Sequence, residues 1–366
     1  MKSKVYFFSG SRADYNLIES IFLLFQKNRS FEKKIIITGT NLSKKYSDDE
    51  KFNIFQKDIH KIYIKLGNSQ KKNFSNIFSN YFGEFYRLLE KNKPNYVILL
   101  GDRYEALIFG ICAKFLNIKI IHFHGGETTL GSLDNTWRDI ISRLSDYHFT
   151  SLSLYKEKLV KMGINKKRIF NVGSVGVSNV AKSKTKEKFT FPNNFKFNKK
   201  ILVSYHSLTA SISKSRKDLK ELLKALSDFK NDFILFTYPG HDFDSDYIIK
   251  RIKNFNKSNK NSLLIKNAKL FSFSTLLKSF DVFVGNSSAG IIEAPTAKIP
   301  TINVGNRQKG RIGGKSIFHV VANKQKIRNE IERVLGLNNI SFVNPYYKKK
   351  TMIDIYEKIL LIIRNI

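Results

Sequence analysis

Short apolar runs recur along this chain, and each stops at a polar, glycine-bearing loop that leads into helical spacing. Val5-Tyr6-Phe7-Phe8 ends at Ser9-Gly10-Ser11-Arg12, after which Leu17, Ile18, Ile21, Phe22 and Phe25 fall at helical intervals. Tyr96-Val97-Ile98-Leu99-Leu100 ends at Gly101-Asp102-Arg103 and gives way to a helical stretch through Ala106, Ile108 and Phe109. Residues 34–38 and 118–124 are further runs of strand length. Runs that are apolar on both faces belong in a sheet covered on both sides, and strand–loop–helix repeats of this size call for parallel strands with right-handed crossovers. The pattern lapses over residues 181–200, which are rich in Lys, Asn and Phe, hold one Pro and show no period. That stretch reads as a surface linker. Beyond it residues 201–205, 233–237, 280–284 and 300–304 read as strands and 219–229 as a helix. Ile353, Tyr356, Ile359, Leu360 and Ile363 set a helical period through 352–366. The expected fold is α/β, built as two similar parallel-sheet halves.

With 366 residues and 42% of them hydrophobic, the chain can fill two cores. Its apolar runs fall far short of the roughly 20 residues that a membrane span needs, and residues 5–8 are too short for a signal segment. Cys112 is the sole cysteine, so an intrachain disulfide and a cysteine-based zinc cage are excluded. A cytoplasmic protein is expected. The net charge of +34 raises nucleic acid as a partner, but lysines spread through every segment instead of forming one stripe. No nucleic acid and no membrane are expected as partners. A positive field of this kind draws anionic small molecules instead.

In open parallel sheets, ligands bind beyond the carboxyl ends of the strands. Gly285-Asn286-Ser287-Ser288-Ala289-Gly290 follows one such strand and opens a helix, so small residues and hydroxyls there suit phosphate oxygens. Glu293, expected about one and a half turns into that helix, suits ribose hydroxyls. Arg12 follows the first strand in the same way and suits a diphosphate, while Asp14 reads equally as a helix N-cap. Asp102 ends a strand, Glu127 follows a flexible Gly125-Gly126 pair, and Asp134 opens a helix that carries Arg138 four residues on. Gathered carboxylates move protons to and from carbon or a sugar oxygen; capping and ion pairing are their alternative uses. His122 and His124 are expected on one face of a strand, without the further ligands a metal site needs. His206 ends the first strand of the second half and is the candidate ligand-facing imidazole there.

Five segments, in order, resemble UDP-N-acetylglucosamine 2-epimerases: Gly10-Ser11-Arg12-Ala13-Asp14-Tyr15, Gly101-Asp102-Arg103-Tyr104-Glu105, His124-Gly125-Gly126-Glu127, residues 285–295 and Arg307-Gln308-Lys309-Gly310-Arg311. The match is to the hydrolysing branch that supplies sialic and legionaminic acid synthesis. The resemblance implies glycosyltransferase-B architecture, with two Rossmann-like domains and an interdomain cleft. Residues 1–180 would form the first domain, 181–200 the linker and 201–350 the nucleotide-binding domain, with 351–366 packing back on the first. It assigns Asp102, Glu127, Asp134 and His206 to catalysis. Arg12, Asp14, Ser287, Ser288, Gly290, Glu293 and Arg307 would hold the nucleotide sugar. The chain departs from the family pattern at Asp139, Ser207, Gly240 and Asn306.

The chemistry so implied is elimination then hydration. Loss of the anomeric diphosphate acidifies the C2 hydrogen, a carboxylate removes it to give a 2-acetamidoglycal, and water re-adds with protonation from the other face. No redox cofactor and no metal are called for, and a homo-oligomer, dimer or tetramer, is expected. The substrate that the resemblance implies is UDP-N-acetylglucosamine or a related UDP- or GDP-linked 2-acetamido sugar, GDP-N,N'-diacetylbacillosamine being one alternative. A non-hydrolysing epimerase, a glycosyltransferase of the same architecture and a basic nucleic-acid-binding protein are the rival readings.

Overall fold

The computed structural model describes residues 2–46, 54–66, 73–183, 189–191, 197–266 and 273–364. It divides into two compact units, one of Met1–Glu127, Leu133–Ser178 and Tyr346–Ile366, the other of Thr128–Ser132 and Asn179–Pro345. In chain order the first series is β1 (Lys4–Ser9), α1 (Arg12–Leu24), β2 (Glu32–Ile37), β3 (Ile59–Lys61), α2 (Phe74–Asn92), β4 (Tyr96–Leu100) and α3 (Tyr104–Phe115). It continues with β5 (Lys119–Phe123), α4 (Asp134–Leu144), β6 (Tyr147–Thr150), α5 (Ser153–Lys161), β7 (Ile169–Asn171) and α6 (Val175–Lys182). These strands form one sheet in the order β3-β2-β1-β4-β5-β6-β7, parallel throughout.

The second series is β8 (Lys200–Ser204), α7 (Ile212–Leu226), β9 (Phe233–Thr237), α8 (Ser245–Ser258), β10 (Ser262–Ile265) and α9 (Phe273–Ser279). It goes on through β11 (Val282–Gly285), α10 (Ala289–Ile292), β12 (Thr301–Val304), β13 (Ile317–Val320) and α11 (Lys324–Leu335). Its sheet runs β10-β9-β8-β11-β12-β13, again parallel. Both sheets are doubly wound, as the apolar runs require: every residue of β4 and β11 is buried.

The strand order reverses between β1 and β4 in one sheet and between β8 and β11 in the other. At such a switch point the connections leave on opposite faces and open a crevice at the strand ends, where ligands collect. The Arg12 and Asp102 loops lie at the first of these points, the His206 and Ser287 loops at the second.

The helix α12 (Thr351–Arg364) belongs to the first unit. It lays Ile355, Ile359 and Ile362 into the core that holds Ile18 and Phe22 of α1 and its C-cap Phe25, and the Tyr96 hydroxyl donates to the Ile362 carbonyl at 2.9 Å. The stretch read as a surface linker behaves otherwise. Among its described residues Phe189, Phe191 and Phe197 pack on Phe233 and Phe280 in a core of the second unit. Three phenylalanines offer more apolar area than a solvated linker tolerates. Residues 184–188 and 192–196 of that stretch lie outside the described residues.

Candidate active site

In the first unit the turn after β1 is tight because a Cβ on Gly10 would stand 2.7 Å from the Glu105 Cβ. Ser11 is the N-cap of α1, and Asp14 occupies the third helical position. The Asp14 carboxylate accepts from the Ser9 and Ser11 hydroxyls and from the Gly10 and Ser11 backbone N–H groups, at 2.9–3.3 Å. Its carboxyl is pushed above the usual range by burial, against those hydrogen bonds. Asp14 therefore fixes the turn, which is the capping-box use and not the N-cap itself. Arg12 opens α1 half-buried, its backbone N–H donating to the Thr40 hydroxyl at 3.2 Å.

The turn after β4 carries Gly101 at φ +78°, its N–H on the Phe123 carbonyl at 3.0 Å. His122, wholly buried in β5, bonds the Gly101 carbonyl through Nε2 at 2.8 Å, and its Nδ1 lies 3.2 Å from the Ser142 hydroxyl. With Nε2–H as donor, Nδ1 accepts from Ser142, and burial holds the imidazole neutral with its pKa down at about 3. His122 thus anchors the peptide that presents Asp102. His124 is not beside it on the strand: β5 ends at Phe123, and His124 turns out at φ +63°.

Arg138 brings the carboxylate loops together. Its side chain is 1% exposed. It pairs with Asp102 and donates to the Glu127 backbone carbonyl at 2.9 Å. Glu127, 3% exposed, receives the Ser151 hydroxyl and the His124 Nδ1 on Oε1, both at 2.7 Å. Asp134 is half-buried at the first position of α4, one turn ahead of Arg138. Arg103 pairs with buried Glu105 at 3.3 Å. The Gly125 and Gly126 turn is closely packed, since a Cβ on Gly126 would meet the Tyr155 carbonyl at 2.5 Å and one on Gly125 the Ser142 hydroxyl at 2.8 Å.

In the second unit, buried Asn286 is the hub. Its side-chain oxygen accepts the His206 N–H at 2.7 Å and its Nδ2 donates to the His206 carbonyl at 2.9 Å. Its own N–H donates to the Ser204 carbonyl, and its carbonyl accepts Gln308 Nε2 at 2.9 Å and Arg307 at 3.5 Å. One amide therefore clamps the loops after β8, β11 and β12. Gly285 permits the approach, because at φ +139° a Cβ would lie 2.1 Å from the Ser204 carbonyl. Arg307 also donates to the Ser207 carbonyl at 3.3 Å, and the Gly240 N–H faces His206 Nδ1 at 3.5 Å.

Ser287 and Ser288 stand half-buried ahead of α10. That helix has four residues, and Glu293 caps its end where the chain passes into a 3-10 turn at Ala294–Ala297. The expected one and a half turns are cut short because Pro295 has no N–H to continue the helix. Gly290 serves packing: its N–H is spent on the Ser287 carbonyl, and a Cβ would lie 2.7 Å from the Phe283 ring. Thr128–Ser132, the residues just after Glu127, pack in this unit, with the Leu130 N–H on the Lys309 carbonyl at 3.1 Å and Ser132 Oγ 3.0 Å from Thr209 Oγ1.

Ser151 carries part of this geometry without being marked by any local pattern, while Asn286, Arg138 and His122 stand in segments that the sequence singles out without showing the bonds they make. The available signal is an amide or a charge standing directly beside buried strand runs, where it must find a partner.

Two doubly wound parallel units with polar loops at both switch points define a two-domain α/β fold of glycosyltransferase-B type. The family model described as UDP-N-acetylglucosamine 2-epimerase matches residues 24–360, and the chain belongs to that family. It is 34% identical to the GDP/UDP-N,N'-diacetylbacillosamine 2-epimerase (hydrolyzing) of Campylobacter jejuni, across 87% of this chain and 84% of that one. It is 31% identical to the polysialic acid biosynthesis protein P7 of Escherichia coli, across 96% and 92%. The UDP-GlcNAc-bound 2-epimerase of Neisseria meningitidis shares the fold at a TM-score of 0.75 and 19% identity, over 99% of this chain and 100% of that one. Among the described residues, no helix is long and apolar enough to cross a membrane.

Proposed function

We propose that this chain converts a UDP- or GDP-linked 2-acetamido sugar and water into nucleoside diphosphate and the free C2-inverted sugar. The observation that carries the reading is the pairing of Asp102 and the Glu127 peptide on one buried guanidinium, that of Arg138, at adjacent strand ends. Arg12, Ser287, Ser288, His206 and Arg307 bind the diphosphate as it gathers charge, and Glu293 takes the ribose. The C1–O bond breaks with its electron pair leaving on the diphosphate, and the C2 proton passes to a carboxylate as the C1–C2 double bond forms. Hydroxide from water then joins C1, and a proton joins C2 from the opposite face. Glu127 is the proton-transfer carboxylate, and Asp102 and Asp134 support it. Likeness to a diacetylbacillosamine 2-epimerase and to a polysialic acid biosynthesis protein supports a product used to build a sialic- or legionaminic-type acidic sugar.

The test is turnover of a panel of UDP- and GDP-linked amino sugars in deuterated water by wild type and Glu127→Gln. Wild type is expected to release nucleoside diphosphate and a sugar carrying deuterium at C2. Glu127→Gln is expected to turn over about 10²–10⁴-fold more slowly while binding nucleoside diphosphate normally. A product without C2 deuterium, as a glycosyltransferase would give, refutes the proposal.

A further inference from the structure

The turn after β5 is built in an unusual way for an ordinary strand exit. His124 adopts φ +63° and Gly126 φ +77°, and the His124 N–H is anchored on the Phe149 carbonyl at 2.9 Å. A non-glycine residue in the left-handed region carries backbone strain, which persists where the surroundings demand it. Here the demand is visible. The reversal folds Glu127 back so that its Oε1 meets His124 Nδ1 at 2.7 Å, three residues away. The Ser151 hydroxyl reaches the same oxygen at 2.7 Å. Both residues are buried, His124 being 8% exposed. Two donors on one carboxylate oxygen fix the plane of the group and which oxygen is turned inward.

We propose that His124 is a positioning residue: its Nδ1–H holds the Glu127 carboxylate in the orientation from which that group exchanges the C2 proton. The inference rests on the functional reading above. It predicts that the donated hydrogen bond matters, and not the imidazole as a proton carrier.

Asparagine and glycine both accept a positive φ, so His124→Asn and His124→Gly leave the turn unstrained and differ in the donor. The Asn side-chain amide reaches the place of Nδ1–H, and glycine leaves it empty. His124→Gly is expected to lower kcat about 10- to 100-fold, the loss of one charge-assisted hydrogen bond, with KM and nucleoside diphosphate affinity unchanged. His124→Asn is expected to recover most of kcat. A His124→Gly enzyme within about twofold of wild-type kcat overturns the proposal. So does a folded His124→Asn enzyme as slow as the glycine variant, which makes Nε2 the working atom. Should the glycine variant fail to fold, His124→Asn decides alone: kcat near wild type sustains the proposal and collapse in a folded protein overturns it. Wild type run alongside separates the two readings, because absence of C2-inverted product from wild type fails the functional reading itself.

Discussion

Replacing Arg138 by methionine keeps most of the buried stem volume and removes the charge, so it isolates the guanidinium. The lost contacts include the ion pair with Asp102 and the donation to the Glu127 carbonyl at 2.9 Å. Breaking one side of a buried pair costs about 3–5 kcal/mol, because the remaining charge is stranded. The Asp102 side chain keeps 24% exposure, so water relieves part of that penalty, and the low end, about 3 kcal/mol, applies. For a unit of this size each kcal/mol moves the melting midpoint by about 2–4 °C, so Arg138→Met should melt about 6–12 °C lower by circular dichroism. Adding Asp102→Asn removes the stranded charge and should restore roughly half of that loss, a coupling that a double-mutant cycle reads directly. An Arg138→Met protein that loses less than about 1 kcal/mol, or a cycle with no coupling, refutes the role assigned to the guanidinium.

Arg12→Ala and Ser287→Ala should each weaken nucleoside diphosphate binding by roughly 1.5–3 kcal/mol per lost charged hydrogen bond, measured by calorimetry; unchanged affinity in both removes the diphosphate assignment. Gly290→Ala forces a methyl to 2.7 Å from the Phe283 ring and should cost about 1–3 kcal/mol of unfolding free energy in urea, with no comparable change from an exposed glycine. His148 is buried, and burial holds its pKa down at about 4, below its unfolded value near 6.5. Its contribution is thus fully present above about pH 6.5 and lost as pH falls toward 4, at up to about 1.4 kcal/mol per pH unit, so a His148→Phe protein should show a shallower acid limb than wild type.

Local sequence carries far when the determinant is local. Residues 5–8, 96–100 and 201–205 lie within β1, β4 and β8 or overrun them by one residue, because runs buried on both faces admit no other period. The three-residue strands β3 and β7 carry too few apolar positions to stand out, and only pairing with β2 and β6 defines them. The site divides the same way. Loop positions after strands follow from the alternation of elements, so the placement of Arg12, Asp102, His206 and Ser287 at strand ends is legible. Partner choice is not: Arg138 reaches Asp102 across 36 residues, and Asn286 clamps His206 across 80. Asp14 shows the limit clearly, since a carboxylate near a loop reads alike whether it faces a ligand or its own backbone.

The place of α12 in the chain sets an order of synthesis. Residues 179–345 emerge from the ribosome before this helix does, yet Ile355, Ile359 and Ile362 fill the core beside α1. The second unit is one nearly unbroken stretch and can close as soon as it is made, whereas the first waits with an apolar groove uncovered until the helix arrives. A nonsense change after residue 345 would therefore injure the older unit, leaving the newer one folded and its partner exposed to chaperones and proteases.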